Sequence, residues 1–112
     1  MTADRNDDRI GVLNVNHPGN VQRRDARRVA EVRRAYLSVL PEASPGLTIA
    51  EAERRLIPLL PVELFPDGVK AGWWARAIQL DLEARGIIAR EPVRPLRLHR
   101  RPEARDFSPA TP

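Results

Sequence analysis

The sequence predicts a mainly α domain with a small β-hairpin: three helices, then two short strands. Three observations carry this. Apolar residues recur at helical spacing in three segments, each closed by a proline or a glycine. A capping signature, Thr48-Ile49-Ala50-Glu51, opens the second segment. Behind the third, Gly86 leads into Ile87 and Ile88, and Leu96 and Leu98 then alternate with Arg97 and His99, the period-two pattern of a strand.

The elements follow in order. Residues 1–20 read as an N-terminal arm, partly disordered. Its start is polar, Ile10 to Val15 suit a short strand or an extended segment, and Asn16 to Asn20 carry turn chemistry. The folded domain is expected over 21–100. Its first helix spans about Asp25 to Leu40, with Val29, Val32, Tyr36, Val39 and Leu40 on one side. Arg24, Arg27, Glu31, Arg34 and Ser38 fall on the other side, and Pro41 stops the helix.

Leu47 sits at the staple position before the second helix, which runs to about Leu56 or Leu60, where Pro58 bends or ends it. Pro61 and Pro66-Asp67-Gly68 make a connector, with Leu64 and Phe65 as its apolar anchors. The third helix covers about Lys70 to Arg85, capped by a left-handed Gly86. The strands that follow carry Pro92 and Pro95, which confine the hairpin to a sheet edge. The tail, 101–112, is polar and expected to be disordered, because it cannot bury enough apolar surface to offset its ordering entropy.

Composition narrows the function classes. The chain has 112 residues, enough for one domain, and no cysteine. That excludes a disulfide scaffold, a thiol nucleophile and cysteine-ligated zinc. No apolar run approaches the ~20 residues that span a bilayer, and the polar, acidic start is unlike a secretory leader, so the expected compartment is the cytoplasm. Net charge is +4. The excess is uneven: the stretches 21–40 and 87–112 are basic, and 41–69 between them is acidic. A uniformly cationic coat would look different.

Acid–base and nucleophilic chemistry lack their constellations. Asp81 and Glu83 point apart on one helix, Glu51 belongs to its cap, and Ser38, Ser44 and Ser108 have no histidine at a motif spacing. His17 falls in a turn and His99 in a strand, where hydrogen-bonded or solvated roles are the ordinary ones. An enzyme, a cofactor and a metal site are therefore not expected.

The order of three helices and a hairpin resembles a winged helix-turn-helix domain. The residues that carry the resemblance are Leu47-Thr48 with Glu51 at the second helix and Leu82 through Arg90 at the end of the third. The strings Leu64 to Trp74 and Gln79 to Ala84 also resemble a family of small uncharacterised bacterial proteins, a domain of unknown function. One departure is the connector Pro61–Val69, longer and richer in proline than the usual turn between the second and third helices.

The winged-helix resemblance implies regulatory, non-catalytic binding of duplex DNA, with the third helix in the major groove and the hairpin wing on the backbone. The helix strip expected to face out is Gly72, Arg76, Gln79 and Glu83. Arg76 would read guanine and Gln79 adenine, and Arg90, Arg94 and Arg97 would contact phosphates. The alternative is a protein-interaction or dimerisation module that keeps the fold without the DNA surface. Trp73, Ala77, Leu80 and Ala84 form a second apolar face on the third helix, covered by the N-terminal arm or the hairpin, or else serving a homodimer or a protein partner through Trp73 and Leu80.

Overall fold

The structure is a computed structural model that describes residues 8–102. The expected disordered start and tail therefore lie largely outside the described residues. Three helices form the body: α1 over Ala26–Val39, α2 over Ile49–Leu56 and α3 over Ala71–Ala84. Five short strands pair around them: β1 (Arg9–Val12), β2 (Gln22–Asp25), β3 (Leu47–Thr48), β4 (Ile88–Glu91) and β5 (Arg97–Arg100). β1 and β2 make an antiparallel hairpin, and β3, β5 and β4 make a second antiparallel sheet in that order.

Local chemistry sets the helix ends. The Asp25 carboxylate accepts the Arg28 amide at 2.9 Å, capping α1. At α2 the capping box forms in full: Thr48 N donates to Glu51 Oε1 at 2.9 Å, and Glu51 N donates to Thr48 Oγ1 at 3.1 Å. α3 ends where Gly86 takes a φ of 73°. The Ile87 amide then bonds back to the Leu82 carbonyl at 3.0 Å and aims the chain into β4. Gly46 has a φ of 85°, and a Cβ there would collide with the Leu98 carbonyl, so the close approach of β3 to β5 requires glycine.

The apolar stripes meet in one core. Val32, Tyr36, Leu56, Ile78, Leu82 and Ile88 are buried together, with Leu98 closing the floor from β5. The buried Tyr36 hydroxyl donates to the Ala75 carbonyl at 2.6 Å, tying α1 to α3, and its burial pushes its ionisation far above the ordinary phenol range. In the connector, Leu64 and Phe65 are buried anchors, and Arg28 Nε donates to the Leu64 carbonyl at 2.9 Å.

Three readings of the sequence change. β5 pairs with β3 on one side and β4 on the other, so the hairpin is not confined to the sheet edge. Arg24, read as part of the first helix, lies instead in the strand Gln22–Asp25 beside the arm, and Asp25 caps the helix. Leu47-Thr48 is a strand as well as a cap, because its register against Leu98 and Arg97 gives those backbone groups partners.

Candidate functional site

α3 is the element on which the expected sites converge. Ala71, Ala75, Ile78 and Leu82 turn into the core. Gly72, Trp73, Arg76 and Ala84 face out, with Ala77 and Leu80 partly covered. The outward strip is thus rotated from the expected Gly72, Arg76, Gln79 and Glu83 toward Trp73 and Leu80.

Gln79 corrects the expectation of an exposed strip. It is 2 % exposed, and its Nε2 donates to Glu83 Oε2 at 2.8 Å. Glu83 is in turn held from the β4–β5 hairpin. Arg90, on β4, donates from Nε and Nη2 to the two Glu83 oxygens at 2.8 and 3.1 Å, a fork-on-fork pair. That hydrogen bond holds the Arg90 guanidinium above its ordinary ionisation range. Glu83 therefore gathers one expected base-reader and one expected phosphate-binder onto a single carboxylate.

The other arginines expected to contact phosphates divide. Arg97 Nη1 donates to the Gly46 carbonyl at 2.8 Å and lies 3.9 Å from Glu51 Oε1. Arg94, in the turn between β4 and β5, is exposed. Arg76 is exposed on α3.

On the other side of α3 the β1–β2 hairpin is held by a buried network centred on Asp81. Arg33 Nε donates to Asp81 Oδ2 at 3.0 Å, and Arg85 Nε donates to Oδ1 at 2.8 Å. The Leu13 amide donates to the same Oδ1 at 3.0 Å, and Arg85 Nη2 donates to the Gly11 carbonyl at 2.9 Å. The Arg33 and Asp81 side chains are 2 % and 0 % exposed. Two charges so deep are tolerable because hydrogen bonds satisfy them. The Val15 amide adds a contact to the Leu80 carbonyl at 3.3 Å.

This anchoring places Arg24 beside Trp73. Arg24 pairs with Ile10 across the hairpin, and its guanidinium carbon lies 5.2 Å from the Trp73 ring centroid, within cation–π range. Trp74 meets Trp73 edge-on at 5.3 Å and Phe65 at 6.2 Å, so the aromatic cluster runs back to the connector. Trp73 nevertheless stays 50 % exposed. A shallow groove of about 230 Å³ lies between hairpin and helix, with Leu13, Arg24, Trp73, Arg76 and Leu80 among its lining. It continues past Trp73 to Lys70.

The network was absent from the sequence reading, yet it left a trace. Arg33 lies four residues after Val29, and Asp81 three after Ile78, so each charge sits on an apolar stripe. Opposite charges on two inward stripes call for each other.

Among the described residues, no helix is long and apolar enough to cross a membrane. No curated protein and no solved structure matches the chain. A family model described as a family of unknown function (DUF6958) matches residues 9–98, most of the chain and nearly all of the described structure, and the chain belongs to that family.

Proposed function

We propose that this domain is a non-catalytic protein-interaction module of winged-helix type, whose binding surface is the outer face of α3 with the β1–β2 hairpin. The fold assignment rests on the helix order, on the Gly86 turn from α3 into β4, and on the β4–β5 hairpin as the wing. One observation carries the functional reading: Glu83 engages both Gln79 and Arg90. A groove-reading face needs those donors free and no carboxylate between them and phosphate. The half-exposed Trp73, with Arg76 and Leu80 on the same side, instead has the composition of a protein contact.

Binding of duplex DNA is the second reading, favoured by exposed Arg76 and Arg94. Selection from a random peptide library separates the two. On the first reading the domain enriches peptides that lose binding in Trp73→Ala and keep it in Arg94→Ala. If no peptide is enriched and random duplex DNA binds with a log–log salt slope of about −0.9 per phosphate, lost in part in Arg94→Ala, the DNA reading takes its place.

A further inference from the structure

We propose that the groove between the β1–β2 hairpin and α3 docks an acidic, amphipathic segment of a partner protein. This rests on the interaction-module reading and names the partner's chemistry. The apolar side chains of the segment lie against Trp73, Ala77 and Leu80, and its carboxylates meet Arg24, Arg76 and Lys70.

Charge complementarity selects this occupant. Arg24 and Arg76 line the groove and Lys70 its extension past Trp73, and among the described residues no carboxylate lines either stretch. Asp81, the nearest acid on the hairpin side of α3, faces inward and is held by Arg33 and Arg85. Asp8 and Asp25 border the adjoining recess beside Trp74, where Arg9, Arg23 and Arg24 outnumber them. A second copy of the chain is a poor occupant, because an isologous contact would set these cations against themselves.

The apolar part decides between the two remaining anionic partners. Leu13, Ala77 and Leu80 offer no donors to a phosphate backbone, and a nucleic acid gains little from covering them. An amphipathic peptide gains from both halves: an aromatic anchor to desolvate and cations around it to fix orientation.

The test uses the full chain and three dye-labelled probes. One is a peptide with leucine and glutamate at amphipathic helical spacing, the second has lysine for every glutamate, and the third is random duplex DNA. Binding is read by fluorescence anisotropy. The glutamate peptide should bind, weaken roughly tenfold or more in Trp73→Ala, and weaken in the double variant Arg24→Glu, Arg76→Glu. That double variant should gain affinity for the lysine peptide, a readout that loss of folding could not produce. If the glutamate peptide does not bind, or the lysine peptide binds the unaltered chain as well, the inference is overturned. A lysine peptide whose binding depends on Trp73 leaves the interaction-module reading standing. Duplex DNA that displaces the glutamate peptide and depends on Arg94 overturns both.

Discussion

Each of the two hairpins carries arginines, and they use them in opposite ways. In β4–β5, Arg90 is forked onto Glu83 and Arg97 is bonded to the Gly46 carbonyl, so that hairpin's charge holds it to the body. In β1–β2, the holding is done by residues outside the hairpin: Arg33, Asp81 and Arg85 grip the Gly11 carbonyl and the Leu13 amide. Arg24 is thereby left to lie over Trp73 at the surface. A count of basic residues in a segment thus says little about its partners. What decides is whether the fold brings a carboxylate to meet them, and α3 brings Glu83 to the β4–β5 hairpin while turning Asp81 inward.

The largest effect should come from removing the inward acid. Asp81→Ala leaves Arg33 buried without its counter-charge, and loss of one partner of a buried pair costs about 3–5 kcal/mol. Chemical denaturation measures the cost. Hydrogen exchange should show the β1–β2 amides losing protection before those of β4–β5 do. A cost near zero would mean that the hairpin is held by something other than this network.

Next comes the glycine that lets β3 approach β5. Gly46→Ala must adopt a left-handed conformation and also push away the Leu98 carbonyl. We expect a loss of about 1–3 kcal/mol, with the β3–β5 pairing loosened and the β1–β2 hairpin unaffected. Equal loss of protection in both hairpins would show that they are not separate units.

Much of the fold was legible because its signals are local. The Thr48–Glu51 box, the Gly86 cap and the stripes that bury Val32, Tyr36, Leu56, Ile78, Leu82 and Ile88 each need only a few neighbouring residues to be seen. What was hidden is what long-range pairing creates. Gln22–Asp25 has no apolar alternation, and becomes a strand only because β1 offers it a ladder. The site suffered most. Gln79 sits at the edge of the outward arc of α3, where it is buried and bonded to Glu83, which Arg90 holds from β4. Trp73 and Leu80, read as a second face, do face outward, and the arm covers Leu80 in part while leaving Trp73 half-exposed.

A smaller effect sharpens the contrast between the hairpins. Glu83→Gln should cost about 1–1.5 kcal/mol: Arg90 is partly solvated, but the Glu83 side chain is nearly buried, and the isosteric amide keeps only part of its hydrogen bonding. It should also free Arg90 and, on the DNA reading, raise the affinity of the β4–β5 hairpin for duplex DNA, measured by anisotropy against salt. Unchanged DNA affinity would show that Glu83 does not keep the β4–β5 arginines from phosphate.

The smallest effect is acid sensitivity at β3. The Thr48 amide donates to Glu51 and holds its carboxyl below the usual 4.5. A depressed carboxylate contributes stability that is present above its unfolded value and fades as pH falls through the folded one. The acid limb of the stability profile should therefore flatten in Glu51→Gln below about pH 4.5 and match the unaltered chain's shape above it. A difference in slope at neutral pH would contradict this origin.

The central proposal is that the surface for partners lies on α3 and the β1–β2 hairpin, and not on the β4–β5 hairpin. Amide and indole chemical shifts of the full chain, followed while the glutamate–leucine peptide is added, test it residue by residue. The account predicts that the Trp73 indole and the amides of Arg24, Arg76 and Leu80 move together, with Arg90, Arg94 and Arg97 left in place. Movement concentrated at Arg94 and along β4–β5, with Trp73 unmoved, would contradict it.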